Sequence, residues 1–177
     1  MIKAILLIIY NLIRFSFLKL IHGNRIKIHW IQRISPLCAL KVFSKGSLQI
    51  GRNTEFAAYC DFEVHGNGKL IIGDGVYLNR YCMISAQNKI TIGEGCLLGP
   101  GVKIFDNNHK YTLENGVSTE LTSAPITIGK HCWIASNVII LKGSTIGNNC
   151  VIGAGCIIHE DVPDGTVVKC KQNLNYQ

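Results

Sequence analysis

The chain has 177 residues, 47% of them hydrophobic, with 18 glycines, eight cysteines and a net charge of +7. A single domain of this size with a large apolar core needs no disulfide framework, and the lack of any C-x2-C pair excludes a thiolate metal site. The charge is uneven, since the first 52 residues contain nine Lys and Arg and no acid, whereas the remainder contains nine against eleven.

The first predicted element is an amphipathic helix within residues 1 to 21, the most apolar stretch of the chain. Asn11, Arg14 and Lys19 interrupt it, so we do not expect a full membrane span, which needs about 20 nearly uninterrupted apolar residues. No small-x-small site follows, which argues against a cleaved signal peptide. The polar side chains share one side. Such a helix either lies on an anionic membrane face, where each nearby basic side chain contributes about 1 kcal/mol, or caps a solenoid, and both interpretations stay open.

Residues 22 to 43 form a basic connector that completes an N-terminal segment of residues 1 to 43. No aromatic-interleaved basic stripe or nucleic-acid-binding motif accompanies this segment, so we do not expect nucleic acid as a partner. The expected location is the cytoplasm, with peripheral contact through residues 1 to 21 at the inner face of the membrane if the helix binds lipid.

Beyond residue 43 an aliphatic or aromatic residue returns every sixth position within blocks, and short irregular corners separate one block from the next. The repeated positions are Ile50, Phe56, Phe62, Ile72, Leu78, Ile84, Ile92, Leu98, Ile104, Ile128, Ile134, Ile140, Ile146, Ile152 and Ile158. Neither the helix period near 3.6 nor the strand period of 2 gives a strict six, whereas a triangular parallel β-helix does, because each flat side is one hexapeptide. We therefore predict an all-β solenoid over residues 44 to 168 and a C-terminal tail over residues 169 to 177.

Six cysteines follow the same repeat, each four residues after one of these positions. They are Cys60, Cys82, Cys96, Cys132, Cys150 and Cys156. In a random register only about one cysteine in six would fall at this position, so cysteine is preferred there. The position is the second, smaller inward-facing position of each side. We interpret these thiols as core packing. Cys38 and Cys170 lie outside this pattern.

The repeat stops within residues 105 to 125. Continuing its register would put Lys110, Gly116 and Thr122 into an apolar core, so this segment must leave the solenoid as a loop. Loops of about 20 residues without structure of their own are usually functional or disordered. Among the six histidines of the chain, His109 is the one on this polar excursion, which favours it as the residue with a chemical role.

The segment DNNHKY at residues 106 to 111, with APITIGKHCWIASNVIILKGSTIGNNCVIGAGCIIHEDVP at residues 124 to 163, resembles the hexapeptide-repeat acyltransferases. The resemblance is to the maltose, galactoside and polysaccharide O-acetyltransferase branch and runs from about Ser44 to Pro163. It implies a left-handed parallel β-helix, an exception to the usual right-handed crossover. It also implies a homotrimer with active sites in grooves between neighbouring solenoids, and acetyl-CoA as the acyl donor without a metal.

The resemblance also implies the residues of the site. His109 matches the catalytic histidine on the protruding loop, and Asn79 matches an asparagine that faces the acceptor across the groove. Asp106 and Tyr111, beside His109, are assigned to the acceptor side, and Asp106 or a loop carbonyl is expected to hold the second ring nitrogen of His109. The residues assigned to the coenzyme are Trp133, Ala135, Ser136, Ala154, His159 and Lys171.

The predicted function is acetyl transfer from acetyl-CoA to a hydroxyl of a sugar or glycan, in bacterial surface polysaccharide biosynthesis. A neutral imidazole with a pKa near 6.5 can take the hydroxyl proton at neutral pH and contribute about 10²–10⁴-fold. The alternatives are an amino-sugar nucleotide or antibiotic as acceptor, or a non-catalytic scaffold. A zinc enzyme of the γ-carbonic anhydrase type would need three converging histidines, and the chain has no H-x4-H pair.

Overall fold

In the computed structural model, which describes residues 2 to 171, the chain winds into six coils of short parallel strands. The strands are numbered in chain order, and the first three coils contain β1 (Ile26–Ile28), β2 (Arg33–Ile34) and β3 (Ala39–Val42); β4 (Ser47–Ile50), β5 (Glu55–Phe56) and β6 (Asp61–Val64); and β7 (Lys69–Ile72), β8 (Tyr77–Leu78) and β9 (Met83–Ala86). The fourth coil contains β10 (Lys89–Ile92), β11 (Leu97–Leu98) and β12 (Lys103–Phe105), and the hairpin β13 (Asn107–Thr112) and β14 (Gly116–Ser123) follows it. The fifth coil contains β15 (Ile126–Ile128), β16 (Trp133–Ile134) and β17 (Ile139–Leu141), the sixth contains β18 (Thr145–Ile146), β19 (Val151–Ile152) and β20 (Ile157–Ile158), and β21 (Val167–Val168) comes last.

The three strands of each coil belong to three different parallel sheets, called sides A, B and C in the order in which the chain meets them. The turns that join them are called edges AB, BC and CA. Residues of the repeat stack directly on one another, so that Ile92 on side A pairs with Ile72 in the preceding coil and with Ile128 in the following one. The predicted left-handed parallel β-helix is thereby confirmed.

All the repeated positions are buried, because each points into the space between the three sides. The glycine that follows the repeated residue on side A has a steric reason. A Cβ atom on Gly129 would lie 2.6 Å from the carbonyl carbon of Gly147 in the next coil, so edge AB can stack only without a side chain there. The repeat is thus a packing rule, with one large apolar residue inward and one bare position at the turn.

The cysteine slot is also confirmed as core, since all six predicted thiols are buried. Five of these thiols donate to a backbone carbonyl at a turn of the next coil, as where Cys96 Sγ donates to the Gly129 carbonyl over 3.0 Å and Cys132 Sγ to the Gly147 carbonyl over 3.0 Å. Burial raises the pKa of Cys96 to about 12, so this thiol stays protonated and unreactive. Cys38 occupies the same slot, four residues after Ile34, and is buried with the others.

The solenoid begins at Ile26, not at Ser44 as predicted. Residues 26 to 28 pair with β4, and Leu40 pairs with Phe62 in the second coil, so the connector is the first coil of the solenoid. The repeat was already present there, with Ile28, Ile34 and Leu40 six residues apart. Its polar turns and missing glycines hide it in the sequence.

Helix α1 (Ile2–His22) lies across the open end of the first coil. Phe15 is 1% exposed and closes the core, and Asn11 Nδ2 donates to the Ile34 carbonyl over 2.8 Å. Arg14 donates to the Cys38 carbonyl over 2.6 Å. The helix therefore caps the solenoid, as one of the two interpretations predicted. Within residues 2 to 171, Ile5–Arg25 is the one helical segment long and apolar enough to cross a membrane by length and composition.

The predicted excursion is an antiparallel hairpin that leaves the solenoid at edge CA of the fourth coil. Its strands pair from Asn107 with Ser123 to Thr112 with Gly116, and the register shifts between His109 and Tyr111. Residues 108 to 121 are all exposed. The hairpin is held at its base by the core and projects freely beyond it.

Candidate active site

His109 lies on β13, close to the base of the hairpin, and pairs with Leu121 across the ladder. The irregularity that follows it bends the strand and redirects its side chains. The Nδ1 atom lies 3.1 Å from the carbonyl oxygen of Ser118 on the opposite strand. A carbonyl only accepts, so Nδ1 carries the proton when the ring is neutral, and Nε2 is left as the basic nitrogen.

A shallow pocket of about 260 Å³ opens beside this ring. Its lining comes from the hairpin and from one residue of the solenoid, Lys142, on edge CA of the fifth coil. The lining residues are Asn108, His109, Lys110, Tyr111, Thr112, Thr122 and Lys142. Tyr111 thus lines the same pocket as His109.

Lys142 was not predicted from the sequence. Its Nζ atom donates to Thr122 Oγ1 over 2.5 Å and so ties edge CA to β14. Lys110 points elsewhere, to Glu120 Oε2 at 2.6 Å, and this hydrogen bond lowers the pKa of Glu120. Lys142 is therefore the cation that joins the solenoid to the hairpin wall of the pocket. No sequence pattern distinguishes a lysine two residues after a repeated position, because its role depends on the hairpin folding over it.

Asp106 differs from its assignment to the acceptor side. Its carboxylate is fully buried and accepts from the backbone N–H groups of Gln87 and Asn88, at 2.7 and 2.8 Å. It has no exposed surface with which to contact an acceptor, and the Ser118 carbonyl holds the His109 ring in its place. Asp106 anchors the start of the hairpin to the turn of the preceding coil.

Asn79 lies on a different corner of the prism, edge BC of the third coil, directly after β8. It is half-buried, and its Oδ1 accepts from the backbone N–H of Arg80 over 2.8 Å. Ala135, Ser136 and Ala154 belong to the same edge in the fifth and sixth coils. A single chain therefore does not bring Asn79 together with His109, which stands on edge CA.

Two tyrosines beside Asn79 were missed by the sequence reasoning. Tyr59 and Tyr81 are exposed at edge BC, and their rings stack with centroids 5.4 Å apart and an interplanar angle of 6°. Both have positive φ, 64° and 63°, at the position where the later coils have Gly101, Asn137 and Gly155. An aromatic residue in this region is an outlier that costs of order 1–3 kcal/mol and points to a functional constraint.

The assigned coenzyme residues are distributed over two corners. Trp133 is 54% exposed on side B, next to Leu97 in the preceding coil, and leads onto edge BC with its short side chains. Lys171 is exposed beyond β21 and follows the same edge. His159, by contrast, is exposed on edge CA, on the side of the hairpin. Within residues 2 to 171, no group of three His, Cys, Asp or Glu side chains is arranged to hold a metal ion.

Comparisons with known proteins agree with the solenoid fold. The family described as bacterial transferase hexapeptide (six repeats) matches residues 125–160. WbbJ of Escherichia coli (strain K12), a protein assigned to O-acetyl transfer in lipopolysaccharide biosynthesis, is 30% identical over 132 residues, which are 70% of this chain and 67% of that protein. The chain belongs to the hexapeptide-repeat acetyltransferases. The buried six-residue repeat is thus the core of an acetyltransferase fold.

Two further matches to this acetyltransferase span a smaller share of the matched protein. The galactoside O-acetyltransferase of Escherichia coli (strain K12) is 41% identical over 96 residues, which span 54% of this chain and 47% of that enzyme. Among solved structures, the hexapeptide-repeat-containing acetyltransferase VCA0836 of Vibrio cholerae O1 biovar eltor, complexed with acetyl coenzyme A, matches with a TM-score of 0.56 and 28% identity. That match covers 67% of this chain and 63% of the other.

Proposed function

We propose that this acetyltransferase moves an acetyl group from acetyl-CoA to a hydroxyl of a sugar or glycan, with His109 as the general base. The observation that carries the proposal is the orientation of its ring. The Ser118 carbonyl, 3.1 Å from Nδ1, leaves Nε2 free beside an open pocket of about 260 Å³. A histidine held in one tautomer at an accessible site is what general-base chemistry at neutral pH requires.

In the proposed reaction the acceptor hydroxyl gives its proton to Nε2 of His109 as its oxygen attacks the thioester carbonyl carbon. The C–O bond forms, the carbonyl electrons move onto the oxygen, and the imidazolium is stabilised through Nδ1–H by the Ser118 carbonyl. The carbonyl then re-forms, the C–S bond breaks, and the thiolate takes the proton back from Nε2. The products are the acetyl ester and free coenzyme A, with His109 neutral again.

The oxyanion of this reaction needs a donor close to the base. Lys142 supplies a positive charge on the wall of the same pocket and is held there by its hydrogen bond to Thr122 Oγ1. We assign it the role of favouring the developing negative charge. A cation already held beside the base stabilises the oxyanion without having to be reoriented as the charge develops.

The proposed functional unit is a homotrimer. The acceptor residue Asn79 and the slim residues Ala135 and Ser136 belong to edge BC, whereas His109 and His159 belong to edge CA. If edge CA of one solenoid faces edge BC of its neighbour, both sets of residues line one groove. Closed point-group symmetry then repeats that groove at every interface.

Edge BC has the shape that a pantetheine arm needs. Its turns contain Gly99, Ala135 and Gly153, and a Cβ atom on Gly99 would lie 2.8 Å from the backbone nitrogen of Ser136. Gly99, Ala135 and Gly153 thus form a track without large side chains, with the half-exposed ring of Trp133 beside it. We propose that acetyl-CoA lies along this track with its nucleotide end toward Lys171.

A carbohydrate acceptor suits the stacked pair of Tyr59 and Tyr81. Exposed aromatic faces bind the apolar faces of sugar rings, while Asn79 beside them offers a donor and an acceptor to hydroxyls. The names of WbbJ and of the galactoside O-acetyltransferase also favour a sugar acceptor. The lipopolysaccharide assignment of WbbJ further favours a role in surface polysaccharide biosynthesis.

The test is an acceptor screen with the purified full chain and acetyl-CoA, read by release of free thiol. We expect thiol release that depends on a sugar acceptor, and a product whose acetyl group is removed by mild alkali, as an ester is. An alkali-stable product would indicate an amino-sugar acceptor instead. No acceptor-dependent thiol release with any sugar would favour a non-catalytic scaffold.

A further inference from the structure

The N-terminal end of the solenoid presents an unusually apolar surface. We call it the N-terminal face and define it as the outer side of α1 together with exposed residues at the three corners of the first coil. Its members are Ile5, Leu6, Ile9, Ile13, Phe17, Leu20 and Ile21 on the helix, and Trp30, Ile31, Leu37 and Phe43 at the corners. Exposed apolar patches of this extent mark interaction sites.

Helix α1 turns Asn11 and Arg14 to the solenoid and much of its apolar surface outward. Asn11 is fully buried, as is Phe15, and Arg14 donates to backbone carbonyls, whereas Ile13 and Leu20 are 68% and 82% exposed. A helix that only capped a solenoid in water would turn these polar groups outward and its apolar groups to the core. The outer side of α1 is therefore built for an apolar environment.

The rim of the N-terminal face is positively charged. Residues 5 to 52 contain no Asp or Glu. Arg33 and Lys41 are paired with acids of the second coil, but Lys27, Lys45 and Lys69, on side A and edge CA, take part in no ion pair among the described residues. Cations beside an apolar surface are complementary to a bilayer with anionic headgroups.

A basic groove follows this rim. One cavity of about 540 Å³ lies between α1 and side A and is lined in part by Lys19, Lys27 and His29. A neighbouring cavity of about 360 Å³ shares Lys27 and adds Arg25 and Lys69. Lys19 also lies 4.5 Å from the ring centroid of Trp30, an aromatic residue of the type enriched at membrane interfaces.

The packing of α1 argues for a helix in the plane of the interface. Asn11 and Phe15, which contact the first coil, lie in the middle of the helix, so the solenoid sits against its length. A spanning helix would have to release these contacts, expose Phe15 and leave Asn11 and Arg14 in hydrocarbon. A helix with one apolar side needs to enter only the headgroup and acyl boundary.

We propose that the N-terminal face is a docking surface for an anionic phospholipid bilayer, with the basic groove receiving lipid headgroups. This places the solenoid axis steeply on the membrane and the hairpin, three coils away, at a distance from it. An acceptor glycan on a lipid carrier would thereby be kept near the catalytic groove. The docking itself does not depend on the acetyltransferase reaction.

The experiment is co-sedimentation of the full chain with vesicles, one set of pure phosphatidylcholine and one with a third of phosphatidylglycerol. We expect binding to the anionic vesicles that weakens as salt is raised, since surface attraction is screened over about 8 Å at physiological ionic strength. The variant Phe17→Glu/Leu20→Glu should lose binding by about tenfold or more. Lys27→Gln/Lys69→Gln should bind severalfold less and lose most of the salt dependence.

Two matched controls keep the test specific. Leu113→Glu changes a fully exposed leucine at the hairpin tip, and Lys130→Gln changes a lysine paired with Glu94 far from the N-terminal face. Both should bind vesicles as the wild type does. Hydrogen exchange of the wild type with and without anionic vesicles should show added protection confined to α1 and the first coil.

Three results would overturn the proposal. These are no binding of the wild type to anionic vesicles, unchanged binding of the Phe17→Glu/Leu20→Glu variant, and equal loss in the Leu113→Glu control. A fall in molar mass of that double variant in detergent-free solution, without any vesicle binding by the wild type, would identify a second copy of this chain as the occupant instead.

Discussion

The coils and the hairpin treat their side chains in opposite ways. In the coils the repeated residues are buried, Leu40 partly, and turns of successive coils are joined by backbone hydrogen bonds, as where Gly93 donates to the Ile128 carbonyl over 2.8 Å. In the hairpin, residues 108 to 121 are all exposed, and two of them, His109 and Ser118, meet through a ring nitrogen. The comparison teaches that rigidity is supplied by the stack, which leaves the hairpin free to use polar residues.

The largest effect is expected from a substitution in the hairpin that leaves the coils unchanged. His109→Ala should lower kcat/KM by about 10²–10⁴-fold, because it removes the proposed base, while the melting temperature and molar mass stay unchanged. The matched control is His131→Ala, which removes an exposed histidine on edge AB of the solenoid. Turnover of His109→Ala close to wild type would remove the assignment.

The converse substitution lies in the core of the coils and leaves the hairpin unchanged. Ile134→Ala deletes a fully buried side chain in the middle of side B and should lower the free energy of unfolding by about 2–5 kcal/mol, measured by chemical denaturation. The matched change Leu97→Ala, at an outward, half-exposed position on the same side, should cost far less. Equal losses would mean that the inward and outward positions are not distinct.

Asp106→Asn tests the junction between the two regions. An amide in place of the carboxylate would set an NH2 group against the backbone N–H donors of Gln87 or Asn88, at a cost of about 1–3 kcal/mol. We expect faster hydrogen exchange confined to the hairpin and a lower kcat. The matched change Asp74→Asn, at an exposed turn of edge AB, should leave the hairpin unaffected. A uniform rise in exchange across the coils would show that Asp106 serves the core instead.

The smallest expected effect on stability concerns edge BC. Tyr81→Asn relieves a positive φ, yet it loses the stacking on Tyr59, worth about 0.5–1.5 kcal/mol, so the two contributions nearly cancel. The KM for a sugar acceptor should rise while the KM for acetyl-CoA stays constant. An unchanged acceptor KM would argue that the pair serves contact between subunits.

Much of the fold could be read from the six-residue period, because a strictly periodic pattern leaves one architecture that buries it. The first coil was missed, although Ile28, Ile34 and Leu40 keep the period, since its turns lack the glycines that mark later coils. Of the candidate site, His109 could be found because it interrupts the pattern. Tyr59, Tyr81 and Lys142 could not, because they fit the pattern and differ only in what lies beside them.

The sequence by itself determined which residues point inward, where the stack is interrupted and which histidine stands on the interruption, because these follow from spacing along one chain. The tertiary structure alone decided that Ser118, not Asp106, orients the ring of His109, that Asn79 lies on a different edge, and that α1 turns Asn11 and Arg14 to the solenoid. Each of these depends on backbone that is distant in sequence and becomes a neighbour only when the coils stack. The spacing of residues along the chain does not predict such contacts.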